Sequence, residues 1–535
     1  MYQKPLATAV LLVLGLAINS CASFSIGIPN AENAPAECRN EKHRPQLHFT
    51  PKANWINDPN GMVYYDGEYH LYFQYTPNSA HSGAKYWGHA VSTDLSTWTE
   101  LDIALYPDEM GDMWSGSAVV DFKNASGFQT DPNIQPIVAF FTHAAGPAPQ
   151  QQSIAYSNDK GRTFTKFAGN PVIANPGRGD FRDPKVIQFA ENSWVLVLAT
   201  GDRVQFYTST DLKKWDLASE FGAEPLVGNH GGTWECPELL RIETQGYESW
   251  VLLVSNFGGY HNPGSGTQYF VGSFDGTTFH SDQVAPLYLD WGFDNYASVS
   301  FSNEPKNRHI LMGWMTNLMY AEEIPTGDYR GQITLPRDIS LVAVDGHLRL
   351  KSVIPEEFFN SLRNPSQSFA ISSMTDIPPN QQLNVSDAMP FSNSLLEVDL
   401  AFNIHEIRGP SSIAICFLNS LNQELCVGYD HEREAGTEIF LNREKTGNLG
   451  AISGSFAGRA TAGRETGDAI ITFKIILDVS AVEMFVDGGL TVMTALFYPD
   501  EPLTRVEIRH HAFHPESKVT LISGSVRGIN SMYDC

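Results

Sequence analysis

The sequence predicts an all-β protein, a five-bladed β-propeller followed by a C-terminal β-sandwich. A Ser-x-Asp turn that returns to an aromatic residue occurs four times, and short β-prone runs precede the copies. No long stretch has the 3.6-residue apolar period of helices, which excludes helical bundles and doubly wound folds. The chain of 535 residues is also longer than one hydrophobic core usually supports, which favours two domains.

The N-terminal 21 residues have the composition of a secretory signal peptide. Lys4 is followed by an apolar run from Leu6 to Ile18 and by small residues ending at Cys21. The sequence Ile18-Asn-Ser-Cys21 also fits, imperfectly, a bacterial lipoprotein site that would leave Cys21 lipidated. No later apolar segment approaches the roughly 20 residues needed to span a bilayer. We therefore expect a secreted, extracellular protein, periplasmic or lipid-anchored if the host is bacterial.

The repeated turn predicts the propeller and its number of blades. Its aspartates, Asp94, Asp159, Asp211 and Asp275, are 65, 52 and 64 residues apart. Strand-rich repeats of this kind are typical of propeller blades, here with longer strands or loops than usual. At roughly 60 residues per blade, the stretch 45–350 holds five, and we place the propeller at 40–355. The alternative is a set of unrelated hairpins, because Asp, Ser and Gly favour turns for local reasons.

The character of the chain changes after residue 352, where prolines interrupt it and new β-prone runs follow. The alternation of Val482, Met484 and Val486 before a Gly-rich turn is typical of a sandwich strand. This predicts a β-sandwich at 370–535. Cys416 and Cys426 flank a predicted turn at equal distances, which is compatible with a cross-strand disulfide or with two buried thiols.

Composition restricts the class of ligand. Lys and Arg total 35 against 60 Asp and Glu, a formal net charge of −25. Such a surface repels nucleic acid and anionic membranes, so we expect neither as a partner. The chain lacks C-x-x-C, H-E-x-x-H and EF-hand patterns, and we expect no metal and no cofactor. A neutral substrate fits this charge best.

Three carboxylates in short motifs are the candidates for catalysis. Cleavage of a glycosidic bond typically uses one ionised carboxylate and one protonated carboxyl group. Asp58 lies in the turn Asn-Asp-Pro-Asn-Gly, whose donors could hold it ionised as a nucleophile. Glu235 lies between Trp234 and Cys236, an apolar setting that would raise its pKa and retain a proton. Asp183 follows Arg182, whose cation would keep the carboxylate charged so that it binds sugar hydroxyls.

Each motif alone has a structural interpretation as a turn, a surface ion pair or the end of a strand. Placed in three different blades, they could converge on the axis of the propeller. Together with further motifs they resemble glycoside hydrolase family 32, the β-fructofuranosidases. The matching segments are 55–61, 73–75, 87–90, 114–117, 181–184, 234–237, 313–315, 335–337 and, in the sandwich, 482–486.

The resemblance implies a five-bladed propeller with an appended sandwich, and it implies a role for each carboxylate. Asp58 would be the nucleophile, Glu235 the acid/base and Asp183 the transition-state stabiliser. Configuration would be retained, which requires a separation of about 5 to 5.5 Å between nucleophile and acid.

The resemblance also implies the residues that bind sugar. Asn57, Gln74, Ser115 and Arg182 would hydrogen-bond the terminal fructose. Trp55, Trp114 and Trp314 would wall the pocket, although tryptophans also serve in core packing. One position departs from the family, because Ser82 stands where many members have a tryptophan near the leaving sugar.

The sequence therefore predicts an exo-acting β-fructofuranosidase that hydrolyses sucrose, inulin or levan through a covalent fructosyl-enzyme. The alternatives are a fructosyltransferase, which passes the fructosyl group to a sugar, and a non-catalytic fructan-binding homologue. A propeller-based arabinanase or xylosidase is also compatible with the fold alone. The sequence does not fix the oligomeric state.

Overall fold

The computed structural model describes residues 39–144, 149–244, 246–371, 374–385, 391, 393–433, 436–447, 452 and 454–533. In this part of the chain the regular structure is strand, apart from one short 3-10 helix at Glu356–Phe359. No helix in it is long and apolar enough to cross a membrane. The predicted signal peptide and Cys21 lie outside the described residues.

Five mainly antiparallel sheets follow one another between residues 54 and 353, each with four or five strands. In the first four sheets, the first four strands pair one after another in chain order. In the last sheet, a short strand that joins the first sheet interrupts this order. The strands of sheet 1 are β1 (Asn54–Tyr65), β2 (Glu68–Thr76), β3 (Tyr86–Ser92) and β4 (Thr99–Leu105), joined later by β20 (Tyr329–Arg330). Those of sheet 2 are β5 (Asp112–Val120), β6 (Ile137–Ala144), β7 (Gln151–Ser157) and β8 (Thr165–Lys166). Those of sheet 3 are β9 (Arg182–Ala190), β10 (Ser193–Ala199), β11 (Val204–Ser209) and β12 (Asp216–Phe221). Those of sheet 4 are β13 (Glu235–Thr244), β14 (Tyr247–Phe257), β15 (Ser265–Phe274), β16 (Phe279–His280) and β17 (Leu287–Tyr288). Those of sheet 5 are β18 (Tyr296–Ser300), β19 (His309–Trp314), β21 (Arg337–Val344) and β22 (His347–Val353).

The five sheets close into a ring. The innermost strands β1, β5, β9, β13 and β18 contact one another in order, and β18 returns to β1. A separate hydrophobic cluster fills each space between neighbouring sheets. The ring therefore brings the beginnings of five strands to one axis, as expected for five blades.

The repeated Ser-x-Asp turns join the third and fourth strands of sheets 1 to 4. In the first copy, Ser92 Oγ accepts the Leu95 amide at 2.9 Å, and Asp94 Oδ1 accepts the Thr97 amide at 2.8 Å. In the third copy, Ser209 and Asp211 make the equivalent bonds at the same two distances. Local turn chemistry thus repeats once per blade, which is why the repeat is visible in the sequence.

Two further sheets of seven and six strands pack face to face over a shared hydrophobic core. The all-β prediction of a propeller followed by a sandwich is confirmed. The first of these sheets contains β23 (Arg363–Ile371), β24 (Thr375–Ile377), β26 (Leu396–Asn403), β31 (Ile470–Leu477), β32 (Ala481–Val486), β33 (Thr491–Leu496) and β35 (Val519–Ile529). The second contains β25 (Gln381–Asn384), β27 (Ser411–Leu418), β28 (Glu424–Arg433), β29 (Gly436–Lys445), β30 (Arg459–Gly463) and β34 (Arg505–Ala512).

Cys416 and Cys426 form a disulfide. They face each other across the hairpin of β27 and β28, as the register of the two strands requires. Of the two arrangements compatible with the sequence, the structure contains the cross-strand bridge.

Buried ion pairs join the sandwich to the propeller. Arg337 of β21 donates to Glu483 of β32 and to Asp290, at 2.8 Å in each case. Arg443 of β29 donates to Asp294 and to the Tyr320 hydroxyl, at 2.6 Å in each case. The 335–337 and 482–486 motifs thus meet at this contact, so they fix how the two parts of the chain pack.

Candidate active site

A β-bulge interrupts each of the five innermost strands at the same level. Two residues of the inner strand oppose one residue of its neighbour, which bends the strand and redirects its side chains. The opposed sets are Asn57 and Asp58 with Gln74, Trp114 and Ser115 with Thr142, Asp183 and Pro184 with Leu198, Cys236 and Pro237 with Val254, and Ala297 and Ser298 with Gly313.

Three of the bulges place a non-glycine residue in the left-handed region, with φ of 64° at Asp183, 45° at Cys236 and 55° at Ala297. That conformation is costly for such residues and persists where the surroundings enforce it, often at functional sites. At the fifth bulge only glycine fits opposite, because a Cβ on Gly313 would lie 2.3 Å from Ser298 Oγ. The ring of bulges therefore marks a functional site on the axis.

Asp58 lies half-buried on the bulge of β1 and is held by hydrogen bonds from three sides. Ser115 Oγ donates to Asp58 Oδ2 at 2.5 Å, and Asn57 Nδ2 lies 3.2 Å from Asp58 Oδ1. Cys236 Sγ lies 3.5 Å from Asp58 Oδ2. These three contacts fix the orientation of the Asp58 carboxyl group, as a nucleophile requires.

Asp183 is almost fully buried beside the same thiol. Its Oδ2 accepts the Cys236 amide at 2.9 Å and lies 3.6 Å from Cys236 Sγ. Burial raises the pKa of Asp183, and the neighbouring charges of Glu235 and Asp58 act in the same direction. Arg182 lowers that pKa but does not reverse the shift. The expectation that Arg182 keeps the pKa of Asp183 low is therefore wrong, because desolvation outweighs the effect of the cation.

Arg182 is instead hydrogen-bonded to Glu235. Its Nη2 and Nε donate to Glu235 Oε1 at 2.9 and 3.1 Å, whereas Nε lies 4.0 Å from Asp183 Oδ2. The other Glu235 oxygen, Oε2, accepts a hydrogen bond from the Tyr296 hydroxyl. Burial raises the pKa of Tyr296 well above its usual value, so this phenol remains a donor. The prediction of an apolar setting for Glu235 is thus wrong, because both carboxyl oxygens have polar partners.

Three tryptophans of the motifs lie close to the carboxylates. Trp55 and Trp314 pack edge to face with ring centroids 5.6 Å apart, and both are buried. Trp55 Nε1 donates to Asn57 Oδ1 at 2.9 Å, whereas Trp314 Nε1 is buried without a hydrogen-bond partner among the described residues. Trp114 is partly exposed on the bulge of β5. Gln74 is buried and donates to the Met113 carbonyl at 2.9 Å, so its amide nitrogen already has a partner.

Two contacts escaped the sequence analysis, namely the Tyr296 hydroxyl on Glu235 and the Cys236 thiol between Asp58 and Asp183. Burial raises the pKa of this thiol well above its usual value, so it remains protonated. The blade repeat could have identified Tyr296. It follows Glu235 by 61 residues, about the length of one blade, so it is expected at the equivalent place in the next blade.

Comparison with known proteins decides the family. The sequence model for the glycosyl hydrolases family 32 N-terminal domain matches residues 48–352, and that for the family 32 C-terminal domain matches residues 359–527. The chain belongs to glycosyl hydrolase family 32. The resemblance drawn from the motifs is therefore confirmed, and the protein is a glycoside hydrolase.

Individual family 32 relatives cover most of the chain. A levanase of Bacillus subtilis is 42% identical over 490 residues, which are 90% of this chain and 70% of the relative. The crystal structure of the exo-inulinase from Aspergillus awamori aligns with a TM-score of 0.82 at 32% identity, over 92% of this chain and 99% of that one. A β-fructofuranosidase of Schwanniomyces occidentalis, complexed with fructosyl-erythritol, aligns with a TM-score of 0.78 at 29% identity, over 92% and 98%.

Replacing Asp183 with asparagine should stabilise this family 32 protein near neutral pH. A carboxyl group whose pKa is raised by folding binds more protons in the native state, so it lowers the free energy of unfolding as pH rises. Asparagine removes that loss but can still accept the Cys236 amide. We expect the variant to gain at least about 1 kcal/mol over wild type at pH 8 and little at pH 4.

Thermal unfolding of both proteins at the two pH values measures this difference. Equal or lower stability of the variant at pH 8 would contradict it.

Proposed function

We propose that this protein is an exo-acting β-fructofuranosidase, which hydrolyses terminal β-D-fructosyl residues of sucrose, inulin or levan with retention of configuration. The observation that carries the proposal is the convergence of Asp58, Asp183 and Glu235 on the bulges and inner ends of three different blades. The names of the relatives support the substrate class, because they include a levanase, exo-inulinases and an invertase. The exo-inulinases among them support exo-action.

In the first step Asp58 attacks C2 of the terminal fructose. The bond from C2 to the leaving oxygen breaks, its electron pair goes to that oxygen, and Glu235 donates a proton to it. Tyr296 and Arg182 hold the two oxygens of Glu235, so they orient this carboxyl group. Asp183 stabilises the positive character that develops in the sugar ring. Asn57, Gln74, Ser115 and Arg182 hold the fructose hydroxyls, with Trp55, Trp114 and Trp314 as walls.

In the second step water attacks C2 of the fructosyl-enzyme. Glu235, now ionised, accepts a proton from the water, and the bond between C2 and Asp58 breaks to regenerate the carboxylate. Two displacements at C2 retain the configuration. The thiol of Cys236 and the hydroxyl of Ser115 lie beside Asp58, where their hydrogen bonds stabilise the negative charge that returns to its carboxylate.

Export is part of the proposal. The predicted signal peptide supports it, and relatives named as extracellular exo-inulinases fit the same location.

Initial rates of fructose release from sucrose, inulin and levan test the proposal. We expect release from at least one of them, and NMR of the first fructose formed should give the β anomer. Product analysis at high sucrose separates hydrolysis from fructosyl transfer. Release of pentose from arabinan or xylan without release of fructose, or binding without turnover, would contradict the proposal.

A further inference from the structure

Lys85 lies between two of the tryptophans at the site. It immediately precedes β3, and its carbonyl accepts the Met113 amide at 2.9 Å, next to Trp114. Its Nζ lies 5.3 Å from the centroid of the Trp55 ring. Since Trp55 is hydrogen-bonded to Asn57, the ammonium group stands beside the segment that carries Asp58.

The ammonium group of Lys85 has one N–H donor that makes no hydrogen bond within the described residues. Nζ donates to Ser82 Oγ at 2.8 Å and, more weakly, to Thr76 Oγ1 at 3.5 Å. An ammonium group has three N–H donors, and in the described part of the chain neither a third hydrogen bond nor an ion pair uses the last one. Burial lowers the pKa of Lys85 to about 8, although the charges of Asp58, Glu322 and Asp112 favour its protonated form.

The loop that anchors Lys85 is itself fixed. Glu322 Oε1 accepts the Ser82 amide at 3.0 Å, and Glu322 Oε2 lies 2.8 Å from His81 Nδ1. Arg330 Nη1 lies 3.8 Å from the same Glu322 oxygen. Ser82, His81 and Glu322 are exposed, so the ammonium group that Ser82 supports lies at the outer edge of the site.

We propose that Lys85 selects the leaving sugar by donating a hydrogen bond from Nζ to one of its hydroxyl groups. The inference rests on the proposed function, because it takes the fructose that Asp58 attacks as the fixed part of the substrate. The terminal fructose is expected at the buried end of the site beside Asp183, so a donor at the outer edge meets the leaving sugar. A fixed ammonium donor requires a hydroxyl oxygen of that sugar at one place. Lys85 is in this view a specificity-determining residue and takes no part in bond breaking.

The test compares two substrates that share the fructosyl group. Sucrose has a leaving sugar, whereas methyl β-D-fructofuranoside has only a methyl group in its place. We expect Lys85→Met to lower kcat/KM for sucrose about tenfold or more, as for loss of a hydrogen bond from a charged group. The same variant should change kcat/KM for the methyl glycoside little, and Lys85→Arg should retain most of the sucrose rate.

The matched control is Lys123→Met, which removes an exposed lysine paired with Glu191 and should change neither rate. If Lys85→Met lowers both rates equally, Lys85 acts on Asp58 or Trp55, and the inference is overturned. If it lowers neither rate, the inference is likewise overturned. If Lys85→Met does not fold, as judged by circular dichroism, Lys85→Gln is measured in its place. If wild-type protein does not cleave sucrose, then inulin or levan takes its place as the substrate with a leaving sugar. Release of fructose from none of the three would refute the proposed function itself, and the inference with it.

Discussion

Asp58→Asn should lower kcat for fructose release by at least about four orders of magnitude, as loss of a catalytic nucleophile does in other hydrolases. Asparagine keeps the size of the side chain and can still accept the hydrogen bond from Ser115. Since Asp58 is half-buried and forms no ion pair among the described residues, the variant should fold normally. Its melting temperature should therefore stay close to that of wild type.

Mass spectrometry can separate loss of the nucleophile from general damage to the site. Acid quenching of wild-type protein during turnover should leave one fructosyl unit on the peptide that contains Asp58, and Asp58→Asn should carry none. Asp66→Asn serves as the matched control. Asp66 follows β1 in an exposed turn and pairs with Lys160 at the surface, so this variant should keep full activity. Appreciable turnover by Asp58→Asn would refute the assigned nucleophile.

Arg443→Met should destabilise the protein by about 3 to 5 kcal/mol, because it breaks a buried ion pair and leaves Asp294 without its cation. The Arg443 side chain is completely buried, and its guanidinium group lies 3.8 and 4.2 Å from the ring centroids of Phe456 and Phe293. Burial already raises the pKa of Asp294, and Arg443 opposes that rise. Methionine keeps the packing against the rings but supplies no charge.

Denaturant and thermal unfolding of single and double variants check this expectation. Asp294→Asn combined with Arg443→Met should recover part of the loss, since it removes the unpaired carboxylate. Arg408→Met is the control, because Arg408 pairs with Glu516 at the surface of the same sandwich. An exposed pair of this kind contributes about 1 kcal/mol at most. Equal effects of the Arg443 and Arg408 substitutions would contradict a special role for the buried pair.

The sequence alone predicted the all-β fold, the blade repeat and the three carboxylates that the structure brings together. These features depend on neighbours within a few residues, such as the Ser and Asp side chains that close each turn and the alternation that produces a two-faced strand. The motifs around Asp58, Asp183 and Glu235 are equally compact, so they could be found before their positions in space were known. The family resemblance extended the prediction to the residues expected to bind the sugar.

Only the tertiary structure decided the partners of each group at the site. Arg182 could have paired with its neighbour Asp183, but the bulge of β9 directs it to Glu235, 53 residues further along the chain. Tyr296 and Cys236 contact the carboxylates because five separate strands meet at one axis. The pKa of Asp183 rises because blades distant in sequence together exclude water from it. Hydrogen bonding across blades and desolvation depend on the packing of the whole ring, and no local pattern of residues encodes them.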